Sequence, residues 1–337
     1  MKVITISDIQ QLVQTVGLKP FFNSVIDYLQ QDFSRWDQFQ FSPRYAAHYP
    51  HGVIELMPCS DEQLFSYKLV NGHPGNPLKG DLSVVALGQL IEVSNGYPIL
   101  LSEMTLLTAI RTAAVAALGA RYMAREDCDS LAIIGTGAQA EFQVIAMSCV
   151  RPIKTVYCYD VDNKAMDKFS SNLKPLGFDL VRCDSVAEAI ANTYMVITAT
   201  AAKTTQRIAT FEQFQAGSHI HAMGGDCPGK TEIDLDMLHR ARVVVEYLPQ
   251  SLIEGEIQQG DASLVHAELW ELVNGTKQGR EGDHEITLFD SVGFALEDYS
   301  ILRLVHDLTE QHQLGQEMDL IPELEDPKNL FSLLAGG

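Results

Sequence analysis

Ser130-Leu131-Ala132-Ile133-Ile134-Gly135-Thr136-Gly137-Ala138-Gln139-Ala140 is the stretch that decides the fold. An apolar run with the length of a buried strand passes directly into two glycines one residue apart and then into the start of a helix. The first glycine suits a tight turn, and the second lets backbone approach a pyrophosphate. Ala140, third in the G-x-G-x-x-A pattern, permits close packing of helix on sheet. The opening turn, at Ala138 and Gln139, offers N–H groups and the positive end of the helix dipole to an anion. Asp160 closes the next apolar run about 20 residues on, where a carboxylate accepts hydrogen bonds from the adenine-side ribose hydroxyls. That placement favours NAD over NADP, although Lys164 lies close enough in sequence to attract a 2′-phosphate.

Downstream, strand and helix patterns alternate. Strands are predicted over 130–134, 155–160 and 179–183, and helices over 139–150, 164–173 and 186–192. Apolar runs at 194–199, 219–223, 243–247 and 285–290 extend the series. This texture predicts a Rossmann-type, doubly wound parallel sheet, an α/β fold.

Upstream the texture differs. Ser7-Asp8-Ile9-Gln10 reads as a capping box, and 18–31 reads as a second helix around Pro20. Strand-like runs follow at 53–57, 65–70, 83–93 and 97–101, the last two joined by Asn95-Gly96, a dipeptide suited to a type I′ turn. The glycine- and proline-rich segment 71–80 reads as a loop, and 105–124 as one alanine-rich helix. A helix predicted over 294–312 is followed by a weakly patterned tail. The chain therefore divides into a mixed α+β substrate and oligomerisation domain, residues 1–125 completed by 313–337, and a nucleotide-binding domain at 126–312.

A chain of 337 residues with a formal charge of −20 repels phosphate backbones, and no basic patch compensates, so nucleic acid is not expected as a partner. No stretch approaches the ~18 apolar residues of a membrane span, and the N-terminus carries no leader pattern, so a cytoplasmic protein without membrane association is expected. The six cysteines form no C-x-x-C pair, and His48 and His51 lack acidic or cysteine partners at metal spacing. Neither disulfides nor a metal site is expected.

Four ionisable residues stand near predicted element ends in the first domain: Arg44, Glu55, Lys68 and Arg111. Glu55 and Lys68 each interrupt an apolar run. Such a residue lies either on the solvent face of a strand or against a polar cavity. Farther on, Met223-Gly224-Gly225-Asp226-Cys227-Pro228-Gly229-Lys230-Thr231-Glu232 follows a predicted strand end and sets a carboxylate in the nucleotide domain.

Taken together, Pro43-Arg44, Ile54-Glu55-Leu56-Met57-Pro58, Tyr67-Lys68, Arg111-Thr112-Ala113-Ala114, the glycine loop and Gly224 to Glu232 resemble the ornithine cyclodeaminase and mu-crystallin family along nearly the whole chain. Within that family the bacterial ornithine cyclodeaminases are the most similar branch. The resemblance implies that Arg44, Lys68 and Arg111 surround a substrate carboxylate, Arg111 also touching the cofactor. It implies that Glu55 faces the substrate's amino groups, that Asp226 is the catalytic acid/base in contact with both substrate and cofactor, and that Val292 borders the substrate. Ser83, Thr200, Met223, Gly224, Gly225, Lys230 and Ser291 match positions lining NAD beside Gly135, Gly137, Ala138, Gln139 and Asp160. The implied reaction is an ammonia-lyase conversion of L-ornithine to L-proline by hydride removal, intramolecular cyclisation, loss of ammonia and hydride return, in a homodimer. Relatives of the same fold that run one half of that cycle are the alternative, an alanine dehydrogenase-like amino-acid dehydrogenase or a cyclic ketimine reductase; a non-catalytic crystallin-like binder is a third, though that branch lacks the aspartate at the position of Asp226.

Overall fold

The computed structural model describes residues 1–200, 207–225 and 227–334. They form two eight-stranded sheets with helices packed on and between them. The second sheet is wholly parallel, in the order Asp179–Arg182, Thr155–Tyr159, Ser130–Ile134, Met195–Thr198, His219–Ala222, Thr287–Asp290, Arg242–Val245 and Val265–Glu268. Chain order runs outward in opposite directions from Ser130–Ile134 and Met195–Thr198. The carboxyl ends of that pair are thus the topological switch point, where α/β sheets open a crevice for ligands. The doubly wound α/β reading holds.

The first sheet runs Gln316–Glu317, Lys2–Ile4, Pro98–Glu103, Ala86–Glu92, Leu64–Gly72, Gly52–Ser60 and Gln40–Phe41, with Tyr45–Tyr49 also paired to Gly52–Ser60. Period-two alternation gives it two unlike faces. Met57, Cys59, Ser66, Lys68, Val70, Ala86, Leu90 and Leu100 are buried on one face, beneath the helices Thr105–Met123 and Ala295–His312, on which Leu18–Ser34 packs in turn. Ile54, Leu56, Leu69 and Leu87 are exposed on the other.

Local chemistry places the helix ends. The first helix, Ile6–Val16, is capped by Thr5, with Asp8 returning to the Thr5 N–H at 2.8 Å. The box therefore sits two residues earlier than the Ser7 box read from the sequence, because Lys2–Ile4 is already strand. Glu103 opens Thr105–Met123 by accepting the N–H groups of Thr105, Leu106 and Leu107. The 92–97 connection is a hairpin, but only Gly96 takes positive φ (74°), so the turn is not type I′. Asn95 instead accepts the Tyr97 N–H through its own side chain.

The sequence ran the nucleotide unit to residue 312. Ala295–His312 instead packs on the first sheet and on the helices Leu18–Ser34 and Thr105–Met123. The chain crosses back at 291–294, directly after its last parallel strand. The tail then supplies Gln316–Glu317, antiparallel to Lys2–Val3. Among the described residues no helix is long and apolar enough to cross a membrane.

His219 and His221 point to one face of the parallel sheet and are fully buried. His221 lies against Phe289, and neither of its ring nitrogens has a partner among the described residues. Burial pushes its pKa down to about 3. A folded-state pKa below the unfolded value makes the stabilising contribution complete above pH 6.5 and lost as pH falls toward 3. In urea unfolding, the stability of His221→Leu relative to the parent should improve by about 1.4 kcal/mol for each pH unit below the ordinary histidine value. A difference that stays constant with pH contradicts this.

Candidate active site

The glycine loop has the geometry of an anion cradle. Gly135 takes φ 96°, and a side-chain carbon there would meet the Ala199 carbonyl oxygen at 2.5 Å, so no other residue fits the turn. Gly137 faces open space, and Ala138 is exposed. Among the described residues no hydrogen bond takes up the N–H groups of Gly137, Ala138 or Gln139, which precede the helix Ala140–Val150. These orphan donors at a helix start fit a dinucleotide pyrophosphate. Asp160 is pinned to the same loop. Its Oδ2 accepts the Thr136 N–H at 2.6 Å and the Thr136 hydroxyl at 3.1 Å, and its Oδ1 accepts the Asp162 N–H.

A second group of residues gathers beyond the switch point. Arg44 precedes Tyr45–Tyr49, Glu55 lies on the adjoining Gly52–Ser60, and Lys68 lies on the next strand, two residues out of register with Val70, the partner of Glu55. Arg111 comes from the helix Thr105–Met123. The side chains of Arg44, Lys68 and Arg111 turn to the 291–298 segment. Arg44 pairs with Glu55 at 3.1 Å and donates to the Val292 and Gly293 carbonyls at 2.9 and 2.5 Å. Lys68 Nζ lies 2.8 Å from Asp298 Oδ1, while Arg111 pairs with Glu297 and lies 3.1 Å from that same Asp298 oxygen. Burial and the nearby Arg111 charge push Lys68 down to about 8, against the pull of Asp298. Of the two environments open to Glu55 and Lys68, the buried polar one is observed.

Beneath this cluster lie acids the sequence reading left without a role. Glu246 accepts the Ser291 hydroxyl at 2.6 Å and the N–H groups of Val292 and Gly293 at 3.0 and 2.6 Å. Burial and the neighbouring Glu246 charge drive the Glu297 carboxyl well up, against the pull of Arg111. Glu232 accepts the Thr200 N–H at 2.8 Å and packs where a side chain on Gly224 would have to go. Glu256 accepts the N–H groups of Glu232 and Ile233 and sits against Gly225. Burial, then the Asp290 charge, pushes Glu256 up to about 8. The two glycines of the 223–232 motif thus leave room for carboxylates. The signal for Glu246, Glu297 and Asp298 was the one used for Glu55 and Lys68, an ionic residue interrupting apolar sequence.

The remaining expected positions divide. Ser291 and Met223 follow adjacent parallel strands, where the Ser291 N–H donates to the Ala222 carbonyl at 3.0 Å and the Met223 N–H to that of Thr198 at 3.2 Å. Thr200 joins them through Glu232, and the carbonyl of the buried Lys230 accepts from Gln258. Ser83 lies before Ala86–Glu92, its carbonyl held by the His73 N–H. Among the described residues no hydrogen bond ties it to the glycine loop. Asp226, on which the acid/base expectation rests, lies outside the described residues.

A parallel sheet with a dinucleotide cradle at its switch point, bordered by buried cations on a second sheet, defines a nucleotide-dependent α/β protein acting on a small molecule that bears a carboxylate. The chain belongs to the ornithine cyclodeaminase/mu-crystallin family, whose model matches residues 7–313. An ornithine cyclodeaminase of Agrobacterium tumefaciens (strain Ach5) is 45% identical over 331 residues, 98% of this chain and 93% of that protein. A lysine cyclodeaminase, solved to explain recognition of L-lysine, L-ornithine and L-2,4-diaminobutyric acid, superposes with a TM-score of 0.92 at 28% identity and covers 99% of both chains. An archaeal alanine dehydrogenase dimer with bound NAD gives 0.88 at 30% identity, covering 95% of this chain and 99% of that one.

Asp160 offers two carboxylate oxygens beside the loop, and hydrogen bonds to charged groups carry roughly 1.5–3 kcal/mol. Asp160→Ala should raise the Kd for NAD by roughly 10- to 100-fold in a fluorescence titration. An unchanged Kd contradicts the assignment.

Proposed function

We propose that this protein is an ornithine cyclodeaminase, a cytoplasmic ammonia-lyase that turns L-ornithine into L-proline with NAD as a catalytic cofactor. The observation carrying the reading is the convergence of Arg44, Lys68 and Arg111 on residues 292–298, with Glu55 paired to Arg44, in a chain 45% identical to a named ornithine cyclodeaminase along almost its full length.

The residues divide the work by charge. Lys68 and Arg111, with Arg44, hold the amino-acid carboxylate, and planar guanidinium contacts fix the orientation of its Cα. Glu55 accepts hydrogen bonds from a substrate ammonium. Ser83, Thr200, Met223, Gly224, Gly225, Lys230 and Ser291 would line NAD, with Gly135, Gly137, Ala138 and Gln139 holding its pyrophosphate and Asp160 its ribose. Bound NAD supplies a hydride acceptor and, later, the matching donor. Asp226 takes a proton from the α-nitrogen and returns one to the departing ammonia. Val292 closes the apolar side and helps exclude water, which would otherwise hydrolyse an imine to a keto acid. Attack by the δ-amine needs no second captured reactant, because both amines belong to one bound molecule.

Purified protein with L-ornithine and NAD⁺ should give equimolar proline and ammonia without lasting reduced nicotinamide. Asp226→Asn should still bind NAD but lose turnover by about 100-fold or more. Normal turnover by that variant would remove Asp226 from the acid/base role, and lasting reduced cofactor would mark a dehydrogenase.

The working unit is a homodimer joined through the outer face of the first sheet. Tyr45, Leu56, Leu69 and Leu87 stand directly opposite one another in a row across four strands and are all exposed, Tyr45 by 70% and Leu69 by 45%. A flat apolar row of this kind calls for a partner surface, and a second copy offers the same row across a two-fold axis. The archaeal alanine dehydrogenase of the same fold is a dimer. Leu56→Asp with Leu69→Asp should elute as a monomer in size-exclusion chromatography with light scattering; a dimer in that variant would exclude this face.

A further inference from the structure

Lys68 and Arg111 are carried by different elements, a strand and a helix, yet both reach one atom. Asp298 Oδ1 lies 2.8 Å from Lys68 Nζ and 3.1 Å from Arg111 Nε. The side chain of Asp298 is fully buried and that of Lys68 is 1% exposed. The other oxygen of Asp298, Oδ2, has no hydrogen-bond partner among the described residues. The neighbouring acids behave differently: Glu246 is saturated by a hydroxyl and two N–H groups, and Glu297 takes the Phe294 N–H. The polar partners of Asp298 are thus the two cations themselves.

Two like charges cannot sit side by side in a water-poor interior unless an opposite charge lies between them. We propose that Asp298 is a positioning residue for the substrate carboxylate: it keeps Lys68 charged beside Arg111 and sets both heads as one receptor. The identity of that carboxylate rests on the ornithine reading above; the coupling of the three side chains does not. Other charges facing Lys68 are already committed. Arg44 is held by Glu55 and Glu254, Glu297 by Arg111, and Asp32 and Asp61 by Arg35 and Arg303. None of them replaces Asp298 at Lys68 Nζ. Since burial and Arg111 already push Lys68 down to about 8 with Asp298 present, removing the carboxylate that opposes them lowers it further.

The test follows the Lys68 side chain directly and through catalysis, in the full-length protein with NAD. With 13Cε-labelled lysine, assigned from the spectrum of Lys68→Arg, the Lys68 midpoint should fall by about one pH unit or more in Asp298→Asn and stay near the parent value in Asp298→Glu. The basic limb of kcat/KM for ornithine should move down by the same interval, with the loss in KM rather than kcat and recovered toward pH 6. In the double variant Lys68→Arg, Asp298→Asn that shift should vanish, since a guanidinium does not titrate there. Asp298→Ser carries the same expectation should the asparagine variant not fold. An unshifted Lys68 midpoint in Asp298→Asn, or a pH-independent loss of activity, would overturn the proposal. If the parent makes no proline from ornithine, the ornithine reading fails while the lysine titration still decides the role of Asp298.

Discussion

The buried ion network at the start of the helix Ala295–His312 is the constraint on which the rest of the structure depends. Glu297 and Asp298 lie in the first turn of that helix, where the chain has just left the parallel sheet and joined the mixed one. Their pairing with Arg111 and Lys68 fastens the crossing to a helix and a strand of the first domain, while Glu246 fastens the preceding residues Ser291 to Gly293 to the second. Ions in such a place carry a large desolvation cost, and truncating one partner leaves an uncompensated buried charge. A network of this kind is weak evidence for stability and stronger evidence for a function that needs charge inside the protein.

The same economy of backbone space recurs at the 223–232 loop. Gly224 and Gly225 are small because the carboxylates of Glu232 and Glu256 occupy the places their side chains would take. Glu232 then reaches across to the backbone of Thr200, after the strand next to the glycine loop, and Glu256 reaches back to the N–H groups of Glu232 and Ile233. The segments following Met195–Thr198 and His219–Ala222 are thereby linked by acids. Both open onto the crevice at the carboxyl ends of the parallel strands.

Much of this was legible in the residues, and what was not has physical causes. The strand–loop–helix at 130–150 carries both its apolar period and its turn chemistry locally, so its boundaries read to within a residue or two. Tyr45–Tyr49 was missed because an edge strand exposed on one side need not alternate. The extent of the nucleotide unit was misjudged at Ala295–His312 because an amphipathic helix shows that it has an apolar face, not which sheet that face covers. Arg44, Glu55, Lys68 and Arg111 stood out as charges in unfavourable sequence, but Asp298 and Glu297, the partners of Lys68 and Arg111, lie 230 and 186 residues away, a distance no local pattern bridges. The motif around Asp226 was the most specific signal, and its family resemblance accords with the match over residues 7–313.

The most direct measurement uses L-ornithine deuterated at Cα. If the site removes hydride, closes the ring, expels ammonia and returns the same hydride without releasing its contents, proline should emerge with deuterium still at Cα. Proline carrying protium there, or deuterium found in free reduced nicotinamide together with a keto acid, would contradict a closed, redox-neutral cycle.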